Sequence, residues 1–251
     1  MRTYKLTIAY DGSRYFGWQR QPDTEMTIQG MLEKKIGEIM GYAVEVNGSG
    51  RTDGGVHARG QTASVILSGK VEEGKFLTML NEHLPEDVRI LKMELVKNGF
   101  HARHAARGKY YEYTIDTGEK ANPFTRKYVY HYPLPDGRKL DLKAMRGAAG
   151  ELLGTHDFAA FTDRVDEKST IRRIDEISIV EESGETVEVG EIARISRNVG
   201  TMAEMDVGQG QIRIRYKGSG FMYHMVRILT GTLLEVGTGK RAPESVKKAL
   251  E

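Results

Sequence analysis

The stretch Gly48-Ser-Gly-Arg-Thr-Asp-Gly-Gly-Val-His-Ala-Arg-Gly-Gln61 is the segment that most restricts the fold of this chain. Strand-like residues flank it on both sides, at 43–46 and 61–67, so the loop leads from one strand to another. A dinucleotide-binding fingerprint would need glycine where Asp53 stands, followed by a helix. A P-loop would need Gly-Lys-Ser/Thr at its end, and the segment has none. The loop therefore argues against both nucleotide-binding folds.

Outward from this loop, strand and helix patterns alternate without the strict period of βαβ units. Hydrophobic spacing predicts strands at 5–10, 88–96, 110–115, 127–132, 171–180 and 212–217. Helices are predicted after Thr27 as N-cap, at 76–84, from Leu142 to Gly154, from Met222 to Gly237, and after Pro243. The pattern favours an α+β fold with largely antiparallel mixed sheets. We expect two similar halves, 1–103 and 104–251, with a positively charged cleft between them.

Composition excludes several classes of protein and leaves the partner open. The 251 residues contain no cysteine, which excludes disulfides and thiolate metal sites. Residues 95–111 and 207–234 contain no acid, whereas 163–206 carry 12 acids against 6 Lys or Arg. This asymmetry fits a polyanion bound on one face, or else an acidic solvated protrusion. We see no signal peptide and no apolar run of membrane-spanning length, so we expect a cytoplasmic protein without membrane contact.

Asp53 is the residue of the glycine-rich loop best suited to chemistry. It is the only acid between Val46 and Val71, and Arg51, His57 and Arg59 surround it in sequence. Neighbouring cations favour an ionised carboxylate, which suits a nucleophile or a charge stabiliser better than a general acid. The alternative is structural, because Asp before Gly often caps a turn.

A resemblance to a known family favours the chemical interpretation. Arg51-Thr-Asp-Gly-Gly-Val-His-Ala58 resembles the R-T-D-A/S/K-G-V-H-A signature of the TruA-type tRNA pseudouridine synthases. Further blocks of that family are similar, in the same order, to Tyr10–Gly12, Phe16–Gln21, Phe100–Arg103, Lys109–Tyr113, His156–Phe158 and Phe221–Arg227. The resemblance implies RRM-like halves with the active site in the cleft between them.

The resemblance also implies the reaction and its catalytic residues. Uridines at tRNA positions 38, 39 and 40, in the anticodon stem-loop, would be isomerised to pseudouridine after the base is flipped out. Asp53 would attack either uracil C6 or ribose C1′, and the sequence leaves the choice open. Tyr111 would stack on the uracil, and Arg227 would pair with Asp53. No cofactor and no metal are expected.

Binding of tRNA would fall to a wider set of residues, and a homodimer is expected as in bacterial relatives. The proposed RNA contacts are Arg51, His57, Arg59, Gln61, Arg103 and Lys109, with Arg14 and Arg20 as weaker candidates. Alternatives remain for the catalytic pair. Tyr111 could be a strand tyrosine packed on the core, and we expect it to face away from Tyr110 and Tyr113. Arg227 lies off the apolar stripe of its helix and could simply face solvent.

Two departures keep other functions open. The family usually continues into a G-L-x-L strand that this sequence lacks, so a catalytically weak or inactive RNA-binding module is the alternative function. The acidic excursion at about 183–211 is longer than usual and could alter docking of tRNA. A metal hydrolase centred on His101 and His104 is a third and weaker hypothesis, because H-x-x-H without another ligand is a poor metal signal.

Overall fold

The computed structural model describes residues 1–164, 169–182 and 211–251. It divides into two compact units, Met1–Arg107 and Gly108–Glu251. All of the acidic excursion except Gln211 lies outside the described residues. Within the described ranges, no helix is both long enough and apolar enough to cross a bilayer.

The first unit is a four-stranded antiparallel sheet with two principal helices. Its strands are β1 (Arg2–Tyr10), β2 (Val46–Gly48), β3 (Ala58–Leu67) and β4 (Val88–Val96), in the order β2-β3-β1-β4. Its helices are α1 (Ile28–Met40), α2 (Glu73–His83) and the short α3 (Ala102–Ala105).

Period-two burial along β1 builds the core of this unit. Tyr4, Leu6 and Ile8 are fully buried and lie on one face of the strand, as alternation requires. Helix α1 begins where Thr27 caps it, with the Thr27 hydroxyl accepting from the Gly30 amide at 3.3 Å. It ends at Gly41, whose φ of 75° is left-handed. The Thr27 cap predicted from sequence is therefore confirmed.

The second unit is a five-stranded mixed sheet. Its strands are β5 (Lys109–Asp116), β6 (Tyr130–His131), β7 (Gly154–Asp157), β8 (Ile171–Glu182) and β9 (Gln211–Gly218), in the order β6-β5-β9-β8-β7. Only β5 and β6 pair in parallel among these described strands. The helices are α4 (Leu142–Glu151), α5 (Met225–Gly237) and α6 (Glu244–Lys248).

Alternation along β9 and helical spacing along α5 supply the second core. Ile212, Ile214 and Tyr216 are buried, while the intervening basic residues lie on the opposite face. On α5, Met225 and Leu229 are fully buried and recur at helical spacing. The predicted α+β class with largely antiparallel sheets is confirmed.

Several predicted boundaries are wrong for local reasons. The strand predicted at 127–132 is reduced to Tyr130–His131. Helix α5 begins at Met225, so Met222 precedes it, because His224 in between has a left-handed φ of 57°. Gly154 begins β7 and does not end α4. The strand predicted at 43–46 is instead β2, Val46–Gly48.

Candidate active site

The base of the glycine-rich loop is closed by hydrogen bonds between its two arms. The Ser49 amide donates to the Thr62 carbonyl at 2.8 Å. The Gln61 side-chain amide donates to the Gly50 carbonyl at 2.7 Å and its oxygen lies 3.3 Å from the Ser49 hydroxyl. Gln61, predicted from sequence as an RNA contact, therefore has a structural role at this base.

The tip of the loop is clamped by the segment that follows β1. The Trp18 amide donates to the Thr52 carbonyl at 2.9 Å, and the Tyr10 hydroxyl lies 2.8 Å from the Thr52 hydroxyl. On the other side, the Gly55 amide donates to the Tyr15 carbonyl at 3.2 Å. The backbone is thus fixed immediately before and shortly after Asp53.

Three glycines make this close packing possible. A Cβ on Gly48 would lie 2.5 Å from the Trp18 indole. A Cβ on Gly12 would lie 2.0 Å from the Val56 carbonyl oxygen. Gly17 combines a φ of +104° with an approach of 2.6 Å to the Thr52 carbonyl oxygen. Side chains are excluded at all three positions because backbone or a buried indole occupies the space.

Asp53 lies half-buried at the centre of this clamped loop. Its carbonyl accepts from the Val56 amide at 3.2 Å, which closes a tight turn. Among the described residues of the first unit, no group binds the Asp53 carboxylate. The turn is therefore made by the backbone of Asp53, and the side-chain cap that was the alternative from sequence is not what forms it. The carboxylate is left available for another partner.

His57 is held beside the turn after β1. Its Nδ1 lies 3.1 Å from the Gly12 amide and 3.0 Å from the Asp11 carboxylate. These contacts exclude each other, because Nδ1 accepts from Gly12 only when unprotonated and donates to Asp11 only when protonated. Ser13 already donates to Asp11 through both its amide and its hydroxyl. The His57 ring is therefore held by the turn after β1, whichever of the two contacts forms.

The predicted RNA-binding cations differ in their surroundings. Arg51, Arg59 and Arg103 are exposed. Arg14 is exposed as well, but it pairs with Asp87 at 2.7 Å, and the hydrogen bond and charge of Asp87 raise the pKa of Arg14.

Arg20 also has an acidic partner in the first unit. Its guanidinium lies 3.0 Å from the Glu33 carboxylate, a side chain that is only 7% exposed. Both weaker candidates, Arg14 and Arg20, are thus partly neutralised by acids. Lys109, the remaining cation, is half-buried and begins β5 in the second unit.

Tyr111 stands on the core-facing side of β5. Its ring contacts Phe221 edge to face, with centroids 5.2 Å apart. Tyr113 packs against the same core, whereas Tyr110 is 74% exposed on the opposite face. The expectation that Tyr111 faces away from Tyr113 is wrong, because residues two apart in a strand share a face. Tyr111 is half-buried, which leaves part of its ring accessible.

Arg227 is exposed in the first turn of α5, off the buried stripe. Its charge acts on Tyr113: burial raises the pKa of Tyr113, and the nearby Arg227 opposes that rise. Arg227 and Tyr113 are therefore neighbours within the second unit. Asp53 belongs to the first unit and Tyr111 and Arg227 to the second, so the proposed catalytic residues come from both units.

His224 lies in the block Phe221–Arg227, but no role was predicted for it from sequence. It is the only non-glycine residue with positive φ in the described ranges, and it directly precedes α5. Its Nδ1 pairs with Asp163, and its ring stacks on Tyr223 with centroids 3.8 Å apart. The Arg164 guanidinium lies 5.3 Å from the Tyr223 ring centre. These contacts stabilise a backbone conformation that costs about 1–3 kcal/mol at non-glycine residues.

His101 and His104, the residues of the metal-hydrolase hypothesis, contact each other and the neighbouring backbone. The rings of His101 and His104 lie 4.4 Å apart, and Nδ1 of His101 accepts from the Arg103 amide at 3.2 Å. Among the residues that the structure describes, no group of three or more His, Asp or Glu is arranged to hold a metal ion.

Comparison with known proteins agrees with the sequence motifs. A family model described as tRNA pseudouridine synthase matches residues 6–104 and 148–251. "tRNA pseudouridine synthase A 2" of Bacillus thuringiensis subsp. konkukian (strain 97-27) is 39% identical over 252 aligned residues, covering 100% of this chain and 91% of the relative. "tRNA pseudouridine synthase A" of Bacillus sp. (strain KSM-64) is 40% identical with the same coverage. That of Clostridium kluyveri is 38% identical, again over 100% of this chain and 91% of the relative. The chain belongs to the tRNA pseudouridine synthase family.

Proposed function

We propose that this chain isomerises uridine to pseudouridine in tRNA, with Asp53 as nucleophile. The observation that carries the proposal is the clamped loop of the first unit, which fixes the backbone around Asp53 and leaves its carboxylate unbound there. A nucleophile must be held in a reactive geometry, and a rigid backbone supplies this. Membership of the family gives the reaction class. The substrates we propose are the uridines at positions 38, 39 and 40.

The chemistry conserves every atom of the substrate. Asp53 forms a bond to the extruded nucleoside, the C1′–N1 bond breaks, and the uracil turns and rejoins C1′ through C5. The bond to Asp53 then breaks, which regenerates the carboxylate and releases the product. The proton on C5 is lost to solvent, and N1 gains a proton. Neither an oxidant nor a second substrate enters this balance, so we propose that no cofactor takes part.

Tyr111 and Arg227 would complete the site. A half-buried ring braced by Phe221 suits stacking on the uracil, a contact worth roughly 1–3 kcal/mol. Its hydroxyl would assist removal of the C5 proton by relaying it to solvent. An exposed guanidinium at the start of α5 suits a charge-assisted pair with the Asp53 carboxylate.

Binding of tRNA would depend on phosphate contacts. We assign this role to three exposed cations of the first unit, Arg51, Arg59 and Arg103. We also assign it to His57 and, from the second unit, to Lys109. The target uridine must leave its stacked position to reach Asp53. We further propose a homodimer that acts in the cytoplasm.

The test is release of tritium from tRNA labelled at uridine C5, with Asp53→Asn compared with the native chain. Asparagine keeps the shape of the side chain and removes its charge, so release is expected to fall by at least about 1,000-fold. Binding of tRNA should change little. Asp23→Asn, an exposed acid of the same unit, is the matched control and should release tritium at the native rate.

The outcomes separate the competing functions. Native release by Asp53→Asn would remove Asp53 from the mechanism. Absence of release from the native chain, together with tight and salt-sensitive tRNA binding, would favour the RNA-binding module. Loss of native activity on addition of a chelator would overturn the cofactor-free account. Alignment with named synthases over the whole chain favours the enzyme.

A further inference from the structure

A buried carboxylate lies beneath the segment that clamps the Asp53 loop. The Glu33 side chain on α1 is 7% exposed. One of its oxygens accepts from the Val46 amide at 3.1 Å and from the Gln29 side-chain amide at 3.0 Å. The other oxygen binds Arg20 at 3.0 Å. A charge this deeply buried is costly unless every oxygen is satisfied, as both are here.

Gln29, one turn earlier on α1, forms hydrogen bonds through both the nitrogen and the oxygen of its side-chain amide. Its Nε2 donates to Glu33 and, at 3.1 Å, to the Val46 carbonyl. Its Oε1 accepts from the Gln19 side chain at 2.8 Å and from the Arg20 backbone amide at 3.0 Å. Gln29 therefore joins the start of β2 to the segment after β1. It can do so only as an amide, because one end must donate and the other accept.

This network leads directly to the loop that carries Asp53. Gln29 holds residues 19 and 20 through its side chain and Trp18 through its backbone amide, which donates to the Trp18 carbonyl at 2.9 Å. Trp18 in turn donates to the Thr52 carbonyl and packs its indole against Gly48. A shift of Gln29 would therefore move the residue next to Asp53.

We propose that Gln29 and Glu33 are positioning residues for Asp53, acting through Gln19, Arg20 and Trp18. This inference rests on the proposed role of Asp53 as nucleophile. We assign neither residue a contact with the substrate. Together they fix the position of the loop backbone, and so the position of the Asp53 carboxylate. Small displacements matter, since a shift of about 1 Å can cost on the order of 100-fold in rate.

The test exchanges the donor and acceptor ends of the network. Gln29→Glu replaces the Nε2 donor with an oxygen that faces the Glu33 carboxylate and the Val46 carbonyl, so both bonds are lost and like charges meet. The double variant Gln29→Glu, Glu33→Gln restores one carboxylate and one amide at the pair. It regains the hydrogen bond between positions 29 and 33 and removes the like-charge contact, but it loses the bonds of this pair to the Val46 amide and carbonyl and the negative charge opposite Arg20. Gln19→Ala removes a single bond and is the milder variant should Gln29→Glu fail to fold.

Three quantities are measured for each variant: the single-turnover rate at saturating tRNA, the Kd for tRNA, and the emission of Trp18. Trp18 is the only tryptophan of the chain and is 1% exposed, so its fluorescence reports the packing of the clamp. For Gln29→Glu we expect a rate loss of about 100-fold with emission moved to longer wavelength. The Kd should stay within about twofold because no phosphate contact is removed. The double variant should be faster than Gln29→Glu despite its second substitution.

Asn81→Ala is the matched structural control. Asn81 makes two hydrogen bonds with the backbone of Ile90, at 2.9 and 2.8 Å, and joins α2 to β4 in the same unit. It should lower stability without changing Trp18 emission or the rate at a temperature where the protein is folded. An equal rate loss in Asn81→Ala, or native rates in both Gln29→Glu and Gln19→Ala, would overturn the proposal.

The emission separates failure of this inference from failure of the proposed function. If Asp53→Asn retains native activity but Gln29→Glu shifts the Trp18 emission, the network orders the loop and Asp53 is not the nucleophile. If Asp53→Asn is inactive and Gln29→Glu has native emission and native rate, the nucleophile stands and the positioning role is wrong.

Discussion

The Trp18 indole occupies the space that a side chain at Gly48 would need. The indole is 1% exposed and would lie 2.5 Å from a Cβ at this position. The backbone of Gly48 is an ordinary part of β2, so the requirement for glycine is steric and not conformational. The Trp18 indole packs against Gly48 while the Trp18 backbone amide donates to the Thr52 carbonyl.

We predict that Gly48→Ala lowers the free energy of unfolding by about 1–3 kcal/mol, because an added methyl group must displace a buried indole. Denaturant unfolding and Trp18 emission measure it. Gly147→Ala is the control: Gly147 lies in α4 with no atom within 4 Å of an added Cβ. It should be neutral or stabilise by roughly 0.5–1 kcal/mol. Similar losses in both variants would contradict the steric argument.

At the scale of elements, the turn after β1 is tied to the start of β4. The Tyr15 hydroxyl donates to the Asp87 carboxylate at 2.8 Å, and Arg14 binds the other oxygen at 2.7 Å. Burial, followed by the hydrogen bond and charge of Asp87, raises the pKa of Tyr15 to about 12. The neutral phenol is therefore stabilised by folding.

The sign of the pH dependence follows from this shift. The folded pKa of Tyr15 lies above the ordinary value of 10.0, so its contribution is complete below pH 10 and is lost as the pH rises to about 12. We predict that Tyr15→Phe loses about 1 kcal/mol near neutral pH and shows a shallower alkaline fall in stability. Urea unfolding at several alkaline pH values measures it, with Tyr110→Phe, at a ring that is 74% exposed, as control. An unchanged alkaline slope in Tyr15→Phe would refute the assignment.

Elements with strong periodicity could be predicted from the sequence, and those set by tertiary contacts could not. Burial alternates with period two in β1 and β9, and α1 has a Thr27 cap, so their existence and type were predicted correctly. The start of α5 differs from the prediction because His224 has a left-handed backbone. That conformation accompanies contacts with Asp163, which is remote in sequence, and with the ring of Tyr223, which helix propensities do not take into account. Likewise, the sequence does not reveal that Gln61 binds the Gly50 carbonyl or that Arg20 pairs with Glu33, because these contacts depend on the folded chain.

At the scale of the whole molecule, the exposed cations of the first unit differ in whether a carboxylate lies beside them. The formal net charge is only +2, so long-range attraction for a polyanion must come from local clusters. In the first unit, Arg14 and Arg20 have carboxylate partners, whereas Arg51 is exposed at the loop that carries Asp53. Exposed cations near the reactive carboxylate are the ones that can reach phosphate when the uridine is extruded.

We predict that Arg51→Ala weakens tRNA binding and reduces the slope of log Kd against log salt by about one, because each lost phosphate contact releases one fewer counterion. Filter binding over a range of salt concentrations measures it. Lys143→Ala is the matched control, since Lys143 is also exposed but lies on α4. It carries the same change in net charge, so a general electrostatic effect would appear equally in both variants. A weakened affinity with a native slope in Arg51→Ala would place Arg51 away from the phosphates. Equal changes in both variants would mean that tRNA responds to total charge and not to the Asp53 loop.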